Sequence, residues 1–416
     1  MLIQKEIIYL LLVLVFQMGE MDTLNDPYEK CLQDSNLELF NTDDIYLEIV
    51  ISPLINAKSE AANEMRIIWY DELFGPGDEI ILYGNETKLF SAQLSAESGQ
   101  LDTGIFFDDQ GDMQYVATFQ KENKTVTKSY FKKYPRWMNA NKKYLEDLYV
   151  YEAFIPGTHQ SAAYYGNNRK TLVIYNYLYT QDLNIYDQLM HGVRYLDLRI
   201  GHYNSTDEKW WCNHDLLPMR PLKPVLDQVK LFLNQTNEIV IIDFHRFPIG
   251  FNDKIHEEFA KFLKQELNDL VYHNYKKKTT FKNIWNSGKR LLISYSTRNI
   301  HSNQKFMKPP VKQYWGDKQS LSSLYSYLQS RLLNPTKSKE CSAMMAELTP
   351  TSLIVIFDLM GGLRKMANTV NTNLTLEFHN EWSEKANIIA VDFVESIGIV
   401  TAAIRSNVIK HCKRKL

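Results

Sequence analysis

The chain has 416 residues and a formal charge of −2, from 47 Lys+Arg against 49 Asp+Glu. Hydrophobic residues make up 44% and charged residues 23%, which excludes a wholly disordered or fibrous chain. The near-neutral balance excludes a chain-wide basic field for nucleic acid, and the length suits two or three domains, with about 250 residues enough for one (β/α) barrel. The one dense charge cluster, Lys410 to Lys415, reads as a solvated C-terminus.

The N-terminus carries Lys5 and then ten apolar residues, Ile7 to Phe16. That run is too short for a ~30 Å hydrocarbon core but fits the apolar region of a signal peptide, expected over residues 1–19. Asn-x-Ser/Thr sequons at Asn85, Asn123, Asn204, Asn234 and Asn373 agree with export as a secreted glycoprotein. Four cysteines (Cys31, Cys212, Cys341, Cys412) include no CxxC pair, so zinc ribbons and redox motifs are unsupported. They allow one or two disulfides, with the pairing open.

Residues 40–135 form the first expected domain. Ile45–Ile51, Arg66–Tyr70 and Glu79–Tyr83 are rich in β-branched and aromatic residues. Gly75-Pro76-Gly77-Asp78 and Gly84-Asn85 supply turns, so a small antiparallel β-sandwich is expected. The stretch from Trp69 to Tyr83 is similar to a pattern in small β-sandwiches that accompany some phosphoinositide enzymes.

Beyond Lys132–Arg136 compact strands alternate with helical periods. Strands are expected at Ala153–Pro156, Arg194–Ile200, Trp210–Asn213, Glu238–Phe244, Arg290–Tyr295, Ala343–Leu348 and Ile388–Phe393, with helices such as Leu222–Leu233, Ile255–Leu267 and Leu321–Leu332. This alternation over residues 140–416 predicts an α/β fold of TIM type, with chemistry at the strand C-terminal ends.

Polar clusters fall at those ends. Ile155-Pro156-Gly157-Thr158-His159-Gln160 runs a strand into a Pro-Gly turn, and Gly192-Val193-Arg194-Tyr195-Leu196-Asp197-Leu198-Arg199 places Asp197 and Arg199 at i, i+2 on one strand face. Asn213-His214-Asp215, Asp243-Phe244-His245-Arg246 and Asp392 complete the set. Any one alone is as readily a buried ion pair or a surface histidine. Together they suit phosphodiester cleavage: one imidazole takes a hydroxyl proton, a second protonates the leaving oxygen, and a guanidinium meets the charge at phosphorus. A glycosidase would need paired strand-end carboxylates, and no Glu pair stands out.

These motifs, with Glu238–Phe244 and Asn387–Phe393, resemble in order and spacing the X-region of phosphatidylinositol-specific phospholipase C. The chain looks closest to the PI-PLC X domain-containing proteins of metal-independent type. The resemblance covers about residues 140–410 and implies an intramolecular reaction in which the inositol 2-hydroxyl attacks phosphorus and releases diacylglycerol. It implies His159 as general base and His214 as general acid, with Arg199 at phosphorus. Asp197 would steady Arg199 and His214, and Asp392 would orient His159. Gln160, Asp243, His245 and Tyr295 are expected to contact substrate. The positions that hold calcium in the calcium-dependent enzymes are here Gln160, Asp197, Arg199 and His245. A guanidinium there repels a hard cation, so no metal ligands and no cofactor are expected.

Gln160 departs from the Asp usual in bacterial-type members, where that carboxylate partners the second imidazole. The alternative is therefore a catalytically weak barrel that binds an inositol-phosphate headgroup. Partners are a phosphatidylinositol-like phospholipid and a transient membrane surface, with no nucleic acid. Phe247-Pro248-Ile249-Gly250-Phe251 is either a membrane-inserting loop or one packed on the barrel rim.

Overall fold

A computed structural model describes residues 27–35, 45–55, 63–108, 113–165, 173–334 and 339–415. The expected signal segment lies outside them. Seven strands come first: β1 (Ile45–Ile51), β2 (Glu64–Asp71), β3 (Glu79–Gly84), β4 (Thr87–Gln93), β5 (Ser98–Phe106), β6 (Tyr115–Lys121) and β7 (Lys124–Phe131). They pair antiparallel in two sheets, β1-β2-β5 and β4-β3-β6-β7. Strand alternation sends Leu47, Ile49, Ile67 and Trp69 of one sheet against Ile80, Leu82 and Phe119 of the other, which makes a β-sandwich core.

The opposite face of β1 is buried as well. Tyr46 and Val50 pack with Ile68 toward Leu376 of the helix Leu363–His379. Arg66 is paired with Asp102 at 2.6 Å and donates to Asn368 of the same helix at 2.7 Å. The Thr401 hydroxyl donates to Glu48 at 2.9 Å, and Arg364 donates to the Pro53 carbonyl at 2.9 Å. The sandwich is thus fastened along the barrel flank.

A third sheet holds β8 (Ile155–Thr158), β9 (Tyr195–His202), β10 (Trp210–His214), β11 (Leu217–Pro221), β12 (Val240–Ile249), β13 (Leu291–Tyr295), β14 (Met307–Lys308), β15 (Lys312–Tyr314), β16 (Ser342–Met345) and β17 (Ile388–Val391). Its staves run in the order β14-β13-β12-β9-β8-β17-β16-β15, all parallel, as a curled barrel sheet. Between β14 and β15 the chain passes through Pro309-Pro310, which carry no N–H for a ladder. Trp210–Asn213, expected as a barrel stave, instead lies in a hairpin arm. β10 pairs antiparallel with β9 and with β11, so it extends the mouth rather than the barrel wall.

Two cores follow from strand alternation. Leu196, Leu198 and Ile200 of β9 join Ile242, Phe244 and the helix residues Val225, Val229 and Leu263 between barrel and helices. Tyr195, Ile241, Ile155, Ala343 and Ala390 fill the barrel interior. The helices Leu222–Gln235 and Asp253–Leu267 are amphipathic and turn Val225, Val229, Phe259 and Leu263 inward. The chain ends are joined where Cys31 and Cys412 form a disulfide, which ties the helix Pro27–Gln33 to the helix Ile399–Lys413. Cys212 and Cys341 are free and buried.

Candidate active site

Gly157, in the turn motif before His159, lies close against β9. A Cβ there would come 2.7 Å from Cδ1 of Tyr195, so only glycine lets β8 approach so near. The chain then bends sharply at three strand ends. Gln160, Asp215 and Phe393 all take left-handed backbone angles (φ 41°, 48° and 49°), and each directly follows a site residue: His159, His214 and Asp392. Such backbone costs non-glycine residues of order 1–3 kcal/mol and persists only where neighbours enforce it. At Gln160 the enforcing contacts are its N–H to Asp197 Oδ2 (3.1 Å) and its carbonyl, which accepts from Thr180 (3.1 Å).

These bends bring His159, Arg199, His214 and Asp392 to one cleft of about 510 Å³ at the barrel mouth. His159 is held from both sides. Nδ1 donates to Asp392 Oδ1 at 2.8 Å, and Nε2 accepts from the Arg199 guanidinium at 3.1 Å. This is the neutral tautomer with its lone pair on Nε2, the form a proton acceptor needs. The ring edge packs on Trp315, centroids 5.0 Å apart, and Arg199 lies over the same indole at 5.0 Å.

Arg199 projects inward from β9 with Asp197, two residues before it. Asp197 is fully buried and sits 3.5 Å from the guanidinium, while Asp215 lies 3.9 Å away on the other side. Asp197 does not contact His214, contrary to the expectation. The Leu178 carbonyl accepts from His214 Nδ1 at 2.7 Å and leaves Nε2 to the cleft. Gln160 lines the cleft, and its side-chain oxygen is buried without a hydrogen-bond partner.

Three expected substrate contacts do not reach the cleft wall. Tyr295 points outward, because β12 and β13 pair Phe244 with Tyr295 and Asp243 with Ser294. Side chains in register share a face, so Tyr295 joins Phe244 under the helices and bonds His256 at 2.7 Å. Asp243 lies beneath the floor and accepts from Tyr195 and Gln313 at 2.8 and 3.2 Å. A register shift between Phe244 and Arg246 turns Arg246 rather than His245 to the cleft, 5.6 Å over Trp315. Phe247 and Phe251 pack at a tilt against each other and edge-on against Phe259, so that loop packs on the barrel rim.

Two cleft residues escaped the sequence reading. Trp315 follows the three-residue strand β15, too short to show a period. Glu347 falls inside a strand expected to run to Leu348, but β16 stops at Met345 and leaves Glu347 just beyond the strand end. Its carboxyl is buried beside His159 and Asp392 and accepts from Thr349 at 3.3 Å.

Burial dominates the electrostatics. It lowers His159 and His214 to about 4, with Glu347 pulling His159 up and the Leu178 carbonyl pulling His214 up. It raises Glu347 to about 7 and Asp392 well above the usual carboxylate range, with the Arg199 charge opposing both shifts. Asp197 is held below the ordinary value: burial alone would raise it, but the charges of Arg199 and His159 outweigh that. Among the described residues no three His, Cys, Asp or Glu side chains cluster as a metal site.

No family model matches the sequence. The chain is 24% identical over 304 residues to PI-PLC X domain-containing protein 1 of Homo sapiens, covering 65% of this chain and 91% of that protein. It is 25% identical over 292 residues to the protein of the same name from Danio rerio, covering 64% and 93%. Among solved structures, phosphatidylinositol-specific phospholipase C from Staphylococcus aureus superposes with a TM-score of 0.52 at 16% identity, covering 65% of this chain and 97% of that one. The Listeria monocytogenes enzyme gives 0.51 at 20%, covering 67% and 98%. The relatives of this chain are PI-PLC X domain-containing proteins, and its barrel has the fold of the bacterial phosphatidylinositol-specific phospholipases C.

Proposed function

We propose that the protein is a secreted phosphodiesterase of phospholipase C type that cleaves phosphatidylinositol-like lipids without calcium. The observation that carries this reading is the bracketed imidazole: His159 offers a lone pair at Nε2 while Asp392 fixes Nδ1–H and Arg199 stands 3.1 Å from Nε2. In the reaction the inositol 2-hydroxyl displaces Arg199 from Nε2 and gives its proton to His159. Its oxygen attacks phosphorus, and His214 Nε2 protonates the diacylglycerol oxygen as the P–O bond breaks, leaving a cyclic inositol phosphate. Arg199 then lies against the phosphorane oxygens, and Asp392 stabilises the imidazolium of His159.

An acid at His214 requires a proton that burial disfavours at neutral pH. The phosphodiester anion, bound between the imidazoles, supplies the opposite charge that raises both. Calcium independence is supported by the guanidinium of Arg199 at a position where the resemblance implies a cation ligand in the calcium-dependent enzymes, since a positive group there repels a hard cation. Export is supported by the disulfide between Cys31 and Cys412 and by the exposure of all five sequon asparagines.

The test is diacylglycerol release from phosphatidylinositol vesicles in EDTA. The native chain should turn over, and His159→Ala should fall by about 10,000-fold. Equal product from both would remove the reading. A headgroup-binding barrel with little turnover is favoured by one feature, the unpartnered amide oxygen of Gln160 where a carboxylate would support the acid. It predicts inositol phosphate binding with no product from either protein.

A further inference from the structure

The opposite end of the barrel holds a second polar cavity, of about 180 Å³, that shares no lining residue with the catalytic cleft. Lys312 and Ser342 open β15 and β16 and stand side by side in the parallel register, and Asn387 comes just before β17. His159 and Asp392 instead follow the last residues of β8 and β17, so the length of the staves separates the two sites. Arg331, in the last turn of the helix Leu321–Leu333, and Lys385, at the end of the helix Glu381–Lys385, complete the wall.

Three cations thus face one hollow, and none has a carboxylate within ion-pair distance among the described residues. Glu340, the one acid among the described lining residues, is paired with Lys277 at 2.9 Å. The Lys312 ammonium and the Arg331 guanidinium lie over the same buried ring, that of Tyr314, at 4.9 and 5.2 Å from its centroid. The ring face attracts both charges but neutralises neither. A helix end accounts for a cation beside its carbonyls, which covers Arg331 and Lys385 singly. It does not account for Lys312, which opens a strand, nor for the convergence of all three. The N-terminal face of such a barrel serves stability, and gathering like charges there without a counter-charge works against it. An anionic ligand removes that conflict.

We propose that this hollow is a binding site for a tetrahedral oxyanion of the kind carried by a phosphate monoester or a sulfate ester, held by Lys312, Arg331 and Lys385 with the Ser342 hydroxyl as a neutral donor. The guanidinium offers paired N–H donors to two oxygens of the anion, and the two ammonium groups act as point charges. Tyr151, on the same wall, presents an aromatic ring to the carbon skeleton of the ester. No catalytic group takes part, so the site stands apart from the phospholipid reading.

The experiment is equilibrium dialysis of the full chain against labelled inorganic phosphate at fixed ionic strength, beside the triple variant Lys312→Ala, Arg331→Ala, Lys385→Ala. The variant should hold one phosphate fewer per chain, whatever the catalytic cleft itself binds. Each single substitution should weaken the site by about 10-fold, the loss of one charge-assisted contact. All three side chains are exposed, so the unfolding midpoint should not fall, and Lys385→Ala alone carries the test if the triple variant does not fold. Unlabelled phenyl phosphate and phenyl sulfate tell the two esters apart. Displacement by one alone names the ester, and displacement by both fits the charge and shape they share. Equal phosphate on the native and variant chains overturns the proposal. So does displacement of the extra phosphate by chloride as readily as by either ester at equal concentration.

Discussion

Glu48 and Glu347 are both buried carboxyls that burial raises to about 7, yet their surroundings differ. Glu48 lies in the seam between sandwich and barrel, where the hydroxyls of Thr401 and Tyr46 donate to it at 2.9 and 3.3 Å. The charge that opposes the shift is that of Lys132. Glu347 lies in the cleft, where its charge acts on His159 and is countered by Arg199. The same titration therefore bears on stability in the seam and on substrate in the cleft. A perturbed carboxyl marks a functional site only when the groups around it are themselves reactive.

The largest expected break in this contrast is Arg199→Lys. The guanidinium reaches Asp197, His159 and Asp215 and covers Trp315 at the same time, which a single ammonium cannot do. Turnover should fall by up to ~1,000-fold while the seam is untouched, so urea stability should change little. A variant within about threefold of the native rate would mean that Arg199 does not meet the phosphoryl charge.

The second test concerns the seam. Glu48 has an ordinary value of 4.5 and a folded value near 7. Below pH 4.5 it is protonated in both states and costs nothing. As pH rises to about 7 the unfolded chain loses this proton first, so stability falls, by on the order of 3 kcal/mol from this group, and then levels off. Glu48→Gln should remove that slope. Urea melts at pH 5 and pH 8 provide the check: the native chain should lose more stability between them than the variant does. Equal losses would show that Glu48 does not titrate in this range.

How much of this was legible in the sequence differs between the same two regions. The sandwich and the long staves were readable because β1, β9 and β12 are runs of β-branched and aromatic residues. The seam was not, because nothing local tells that β1 is buried on both faces. In the cleft, the turn motifs announced His159, Arg199, His214 and Asp392, since a polar group at the end of an apolar strand stands out. Trp315 and Glu347 sit after strands of three and four residues, which have no period to read. Tyr295 was misjudged because inward and outward positions alternate, and only the pairing of Asp243 with Ser294 fixes which is which. The helix Leu363–His379 has a weaker sequence signal, because Asn-Thr-Val-Asn-Thr-Asn interrupts its apolar face. The pairing of Cys31 with Cys412 is a long-range closure that spacing cannot reveal.

The smallest effect sharpens the comparison from the cleft side. In the unliganded protein burial lowers both His159 and His214 to about 4, so neither changes charge around neutrality. Glu347 does, near 7, being neutral below and anionic above. An anionic Glu347 repels a phosphodiester entering beside Arg199, so kcat/KM should decline above pH 7, mostly through KM, by about 10-fold. Glu347→Gln keeps an acceptor for Thr349 but cannot ionise, so its profile should stay flat from pH 6 to 8. A native limb near pH 7 that survives in this variant would assign the titration to another group and leave Glu347 no more than a buried neighbour of His159.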